Sequence, residues 1–341
     1  MSSNTATVPD LITLFDSLPP PIGEPGEGTR FSAQPIPGYD QHRLGRGTQG
    51  EPSLLLVVNA AARRARPAPL VLEHLTVQYD IECRIGHSEG EPEEGHFTVI
   101  RCTDGHRTLH THFLRVAGAL VASLGTAPSR LDVARAVDQL AELFRALAEP
   151  PRKTLQGLWA ELLVIARARN PALLLGAWHT TAQDRYDFSM SEQRIEVKSA
   201  ARRVRQHYFS LEQLSPPAGT SLLIASTFVE RAGAGISVTE LVDEVRARVG
   251  SDPALLLHMD RVVALTLGES WRHAEEERFD RELAEDSLAF FESTVIPSVA
   301  LQLPHGVSEV RFKSDLTQSR PADLTHYRAV GGLFRAALRR R

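Results

Sequence analysis

A chain of 341 residues, 42% hydrophobic and 23% charged, has the composition of an ordinary folded protein with ample core. Its 38 Lys and Arg against 42 Asp and Glu give a formal charge of −4, which excludes a protein that coats nucleic acid by bulk charge and confines any such contact to a local patch. No apolar run reaches membrane length and the opening MSSNTATVPD lacks a signal-peptide pattern, so a cytoplasmic protein without membrane association is expected, with Cys83 and Cys102 as reduced, buried thiols.

The length fits two structural domains, or one with a large appended module. Residues 1–30 read as an arm or linker, with one short amphipathic piece, Asp10–Leu18, and then the run PPPIGEPGEG. Residues 31–125 read as a β-rich N-terminal module. Short apolar or alternating runs at Ser53–Asn59, Leu70–Leu75, Val77–Ile85 and His96–Cys102 are broken by Gly, Pro and acidic loops, and His87–Gly95 reads as a solvated hairpin tip. Such a module could recognise DNA or a partner protein or buttress the rest of the chain, and because its sequence is not basic the partner or buttress role is expected. His106, His110 and His112, in GHRTLHTH, lack a cysteine or carboxylate at a ligand spacing. They lead into a helical pattern over Phe113–Leu124 and read as its solvated N-terminus. A second helix, Arg130–Ala148, opens at Pro128-Ser129 and stops at Pro150-Pro151. A boundary between about residues 110 and 152 follows, leaving residues 126–341 as an α/β domain with a C-terminal extension.

The chemistry concentrates between Gly157 and Leu214. Thr154–Ala168 has helical apolar spacing, and Glu161 borders its stripe, where a carboxylate is costly unless paired, protonated or bound to a cation. Residues 194–200 alternate as a half-buried strand, with Ile195 and Val197 on one face and Glu196 and Lys198 on the other. Residues 186–190 form a second short strand, linked through Ser191-Glu192-Gln193, so that Asp187 comes close to Glu196 across the ladder. Three carboxylates and a lysine so placed suit a hard ion such as Mg²⁺, which binds few protein oxygens and keeps water and phosphate oxygens in its shell; Mn²⁺ is the expected substitute. Such an ion polarises a phosphodiester and lowers the pKa of bound water, and Lys198 is placed to orient that water and neutralise developing charge. An E-x-K strand alone is more often a surface ion pair; the Asp upstream and the acid inside a helix distinguish this one.

Arg202, Arg203 and Arg205 follow the motif closely and are candidates for the phosphates flanking a cut. Thr220–Thr227 suits a buried core strand, Val238–Val249 and Pro253–Leu265 are helical, and Glu269–Asp286 reads as a surface helix or loop. Phe290–Val299 and Val307–Phe312 read as strands, and Tyr327–Leu338 as a helix ending in the basic tail Arg339-Arg340-Arg341.

The D-(x)n-E-x-K pattern behind a helical Glu resembles the PD-(D/E)XK nuclease superfamily, which has the restriction-endonuclease-like fold. The longer string of GLWAELL, a Trp, YDF, EVKS, HYFS and EQL resembles more closely one bacterial family of that superfamily, of unassigned function, found in phage-defence gene neighbourhoods beside helicase-like and MutL-like ATPases. The resemblance implies an α/β mixed sheet flanked by helices, with Asp187, Glu196 and Lys198 as signature residues, Glu161 as the helical acid and Gln213 as a water- or phosphate-positioning residue. It departs from the pattern where Tyr186 stands in place of the proline. The function it implies is Mg²⁺-dependent cleavage of DNA within a multi-protein defence system, with those ATPases as partners. A homodimer would bring two sites to two strands. The rival expectations are a catalytically silent nuclease-fold scaffold and a DNA-binding subunit that recruits the ATPases.

Overall fold

The computed structural model describes residues 7–20, 29–58, 67–86, 93–179, 184–299 and 305–339. The expected linker at 21–28, most of the expected hairpin tip at 87–92 and the last two arginines of the basic tail lie outside these residues. The chain divides into two compact units, one of residues up to Pro150 plus Ser251–Glu269, the other of Pro151–Gly250 plus Ser270–Arg341. Among the described residues no helix is long and apolar enough to cross a membrane.

The first unit begins with α1 (Leu11–Ser17), followed by β1 (Thr29–Ile36), β2 (Tyr39–Arg46), β3 (Pro52–Leu56), β4 (Leu70–Val71), β5 (Leu75–Gly86) and β6 (Glu93–Cys102), then α2 (Arg107–Leu124) and α3 (Arg130–Ala146). The strands run β1-β2-β3-β6-β5-β4, and a parallel pairing of β1 with the far end of β5 closes the first five into a ring. Closure leaves no long open edge to template association. Ala33, Leu55, Cys83, Ile85, Phe97 and Val99 form one core cluster of this unit. Strands β1 and β2 carry no strand signal in their spacing, because Pro35 and the glycines of Pro37-Gly38 and Gly45 interrupt their alternation; Gly38 turns the hairpin at φ +82°. Helix α2 begins at Arg107, and His110 Nε2 lies 2.6 Å from the Asp104 carbonyl, so the histidine run is a helix start. Both cysteines are free and buried.

The second unit carries α4 (Leu155–Arg167), α5 (Pro171–Gly176), β7 (Phe188–Met190), β8 (Gln193–Ala200), β9 (Gln206–Ser210), β10 (Ser221–Phe228), β11 (Arg231–Ser237) and α6 (Val238–Val249). The chain then returns to the first unit as α7 (Pro253–Leu267), which packs on α2 and α3. It re-enters the second as β12 (Arg278–Phe279), α8 (Arg281–Ser287), β13 (Ala289–Glu292), β14 (Arg311–Asp315), α9 (Leu324–Val330) and α10 (Gly332–Ala337). The central sheet has the order β13-β10-β8-β7, with β8 and β10 parallel and the outer pairs antiparallel. This mixed sheet with α4 packed on β8 is a restriction-endonuclease-like α/β core.

Parallel β10 is buried along nearly its whole length, as a strand covered on both faces must be. Helix α4 departs from the expected stripe, since every residue from Leu158 to Ala166 is buried. With β8 against one flank and α6 against another, the helix has no solvent face at its centre. Glu161 therefore lies inside the unit and not on a border. The C-terminus also differs from expectation. Strand pairing after Phe290 stops at Glu292, β14 starts only at Arg311, and the expected single helix breaks in two at Gly331 and Gly332, with φ of +84° and +62°. The Gln193 side chain accepts from the Phe334 N–H at 3.1 Å and so caps the second piece.

Strand β11 supports α4 from outside the main sheet, because Trp159 donates through Nε1 to the Ile236 carbonyl at 3.0 Å and packs on Phe279. The β11–β12 approach depends on Gly235, where an added Cβ would lie 2.2 Å from the Phe279 carbonyl oxygen. Gly235→Ala is expected to lower unfolding stability by about 2 kcal/mol or more, as a clash with fixed backbone. Gly233→Ala, which meets open space, serves as the control and is expected to change little. Denaturant unfolding of the two variants checks this.

Candidate active site

Three elements meet at the site. Helix α4 delivers Glu161 from its buried centre, the residues entering β7 deliver Asp187, and β8 delivers Glu196 and Lys198. Residues 188 and 195 are paired in the β7–β8 hairpin, so continuing that register places Asp187 opposite Glu196. There the ladder ends, and the Asp187 carboxylate replaces it: Oδ2 accepts the Val197 N–H at 2.7 Å. The turn between the strands is Ser191-Glu192, with Ser191 in the left-handed region at φ +49°.

Glu161 and Asp187 face a single cation. The ammonium of Lys153, just before the helix N-cap Thr154, lies 2.6 Å from Glu161 Oε1 and 2.5 Å from Asp187 Oδ1. The second oxygen of each carboxylate is held by the fold, Glu161 Oε2 by Trp178 Nε1 at 2.8 Å and Asp187 Oδ2 by the Val197 amide. His179 joins the group through its backbone, since its N–H donates to the Asp187 carbonyl at 2.9 Å beside an isolated bridge between Trp178 and Phe188. One donor atom from each of Glu161, His179 and Asp187 lies within 4.8 Å of the others, a set that fits a divalent cation.

Beside this group stands a second arrangement. Glu196 Oε1 lies 2.8 Å from Lys198 Nζ and also accepts from Gln213 Nε2 at 2.8 Å. Gln213 Oε1 in turn accepts from Lys198 Nζ at 3.4 Å and from the Ser210 N–H at 3.1 Å. The amide of Gln213 thus fixes acid and lysine together from the end of β9, and Lys198 also lies over the Phe209 ring at 5.1 Å.

Burial sets the electrostatics. It pushes the Glu161 carboxyl up to about 8, helped by the Asp187 charge and opposed by Lys153 and Trp178. Burial and the Asp187 charge likewise raise Glu196 to about 7, against the pull of Lys198. Burial also opposes ionisation of Asp187, but Lys153, the Val197 amide and Lys198 outweigh it and keep this acid below the usual range. Lys153 is held charged well above its ordinary value, its two carboxylate partners overcoming its desolvation. His179 falls to about 4 through burial and the neighbouring Lys153, and is neutral at pH 7.

The structure therefore gathers Glu161, Asp187, Glu196, Lys198 and Gln213 into one region. The three arginines do not form a set with them. Arg202 is exposed, and Arg203 makes a surface pair with Glu230 at 3.2 Å. Arg205 is turned into the fold, donating to the Ser226 carbonyl and hydroxyl and to the Ser287 carbonyl, and lying over Phe228 at 4.7 Å. Its planar fork joins the β10 and α8 segments of the unit. Sequence reasoning missed Lys153, Trp178 and His179. The one available signal was Trp178 itself, a large side chain at the end of the apolar run ALLLGA, whose N–H needs a partner once buried.

With this geometry in hand, comparison with known proteins identifies one family. The family described as "Putative PD-(D/E)XK family member" matches residues 15–317, and the chain belongs to it. No curated protein and no solved structure matches the chain.

The raised carboxyls give the site a definite pH dependence. A divalent ion binds the ionised carboxylates, so it must displace protons from Glu161 and Glu196 wherever the pH lies below about 8 and about 7 respectively. Affinity for Mg²⁺ or Mn²⁺ is expected to fall as the pH drops from 8 to 6, by about tenfold per unit for each proton displaced. Calorimetric titration in buffers of different ionisation enthalpy counts the protons released. A pH-independent affinity would contradict the assigned environments.

Proposed function

We propose that this member of the PD-(D/E)XK family is a nuclease that hydrolyses phosphodiester bonds, with DNA as substrate and a divalent ion as cofactor. The observation that carries the reading is the convergence of Glu161 and Asp187 on one cation position, with Glu196 and Lys198 fixed beside them. Isolated buried carboxylates are costly, and a fold that aims two of them at a single point is shaped to hold positive charge there.

In the proposed mechanism Glu161, Asp187 and Glu196 would hold the ion, and Trp178 and the Val197 amide keep the oxygens of the first two aimed. Glu196 fixes Lys198 and completes the acidic lining. When bound, the ion supplies a polarised phosphate and a bound water of lowered pKa. Lys198 lies where it can orient the attacking water and neutralise charge on the phosphoryl oxygens. Gln213 holds Lys198 and Glu196 in one geometry, so its effect on the reaction is through them. Exposed Arg202, with Arg203, supplies backbone contacts on the substrate side; Arg205, engaged inside the fold, does not enter this role. A chain with a net charge of −4 points to partners that deliver the substrate, and helicase-like and MutL-like ATPases in a defence system would do so. A homodimer would let the two strands of a duplex be cut by two equivalent sites.

One observation favours a second reading, a silent scaffold that recruits ATPase partners. Lys153 already neutralises the acid pair without an ion. The deciding experiment is nicking of supercoiled and linear DNA with Mg²⁺ or Mn²⁺, alone and with the ATPases present. Wild type is expected to cut, and Asp187→Ala and Lys198→Ala each to lose at least about 100-fold in rate. Absence of cleavage by wild type under both conditions would favour the scaffold.

A further inference from the structure

The donor set around Lys153 is not made of oxygen alone. His179 presents a buried Nδ1 that has no hydrogen-bond partner among the described residues and lies 3.6 Å from Glu161 Oε2. Its place is fixed independently of its side chain by the backbone bond from His179 N–H to the Asp187 carbonyl. Glu161 and Asp187 each have one oxygen tied to a protein donor and the other aimed at the Lys153 ammonium. A lysine ammonium is a compact point cation, so its seat between these oxygens marks where a small cation is stabilised. Lys153 itself is not built into the core. It precedes the helix cap and its side chain retains 36% exposure, so it can swing out without breaking a helical hydrogen bond.

We infer that Glu161, Asp187 and His179 form a mixed carboxylate–imidazole site for a nitrogen-accepting divalent ion such as Mn²⁺, in preference to Mg²⁺, and that the Lys153 ammonium holds the site until the ion displaces it. The inference rests on the proposal that the site is metal-dependent and specifies its cofactor. Mg²⁺ demands oxygen donors and surrenders water reluctantly, whereas imidazole suits the first-row transition ions. A nitrogen at this position therefore separates ions that an all-carboxylate site would treat alike. Lys153 competes with every cation equally, because it occupies the position and not one ligand.

The test uses the full chain, freed of metal, titrated with MnCl₂ and with MgCl₂ by calorimetry, with pulsed electron paramagnetic resonance of the Mn²⁺ form to detect coupling to a ¹⁴N nucleus. Wild type is expected to bind Mn²⁺ at least about tenfold more tightly than Mg²⁺ and to show the nitrogen coupling. His179→Ala is expected to lose the coupling and most of the preference, with Mg²⁺ affinity nearly unchanged. Lys153→Met is expected to tighten both ions by a similar factor, about tenfold, leaving their ratio intact, while the ion-free protein melts at a lower temperature because two buried acids lose their counter-charge. The wild-type spectrum decides without any variant having to fold: bound Mn²⁺ with no nitrogen coupling overturns the histidine ligand. Unchanged affinity in Lys153→Met overturns the displacement. Nitrogen-coupled Mn²⁺ without DNA cleavage upholds this inference and sinks the nuclease reading. Cleavage with Mn²⁺ bound only through oxygen does the reverse, and binding of neither ion sinks both.

Discussion

The second unit depends on how it satisfies the charge of two carboxylates buried against each other. Glu161 and Asp187 are each at least 96% shielded from solvent, at 2% and 4% exposure, and neither can ionise there without a cation between them. Lys153 supplies that cation, and the asymmetry between the acids follows. Asp187, with a backbone amide on its free oxygen as well, keeps its charge easily, while Glu161, with only the indole N–H of Trp178, holds its proton to about 8. One acid is therefore a permanent anion and the other is recruited when a cation of sufficient charge arrives.

Each acid is aimed by a different part of the chain. Trp178 is positioned by its bridge to Phe188, Val197 by its place in β8, and Gln213 by the turn that closes β9 through Ser210. These supports lie on sheet or turn backbone with few degrees of freedom, which is the condition for holding ligand oxygens to a fraction of an ångström. Helix α4 could not place Glu161 so deep if it kept a solvent face, and its all-round burial between β8 and α6 is what shields that carboxylate.

Much of this was legible in the residues, for identifiable reasons. Glu196 and Lys198 were visible because strand alternation puts positions 196 and 198 on one face, and Asp187 because a short polar link returns the chain beside residues 194–200; the structure shortens that link from Ser191-Glu192-Gln193 to Ser191-Glu192, because Gln193 pairs with Met190. Glu161 stood out as a carboxylate in an apolar helix. Lys153 and His179 left no such trace, since both lie on irregular backbone, where no period relates one residue to the next. Arg205 could not be distinguished from Arg202 by spacing, because what separates them is the pair of carbonyls that only the folded β10–α8 region presents. The C-terminal helix read as continuous because its apolar spacing crosses Gly331-Gly332, whereas a left-handed φ at both glycines ends one helix and starts another.

The burial of the acids does not by itself argue for catalysis, since Lys153 already offsets its cost. A triad of two carboxylates and an ammonium, with every partner satisfied, is a stable structural element. What argues further is the part of the arrangement that such a triad leaves unexplained. A buried imidazole nitrogen with no hydrogen-bond partner among the described residues adds little stability, and Glu196, Lys198 and Gln213 form a second polar network beside the first, where apolar packing would have sufficed. Local rules broken twice at one place, with a partly exposed lysine ammonium between the acids, mark a position shaped for something that arrives from outside.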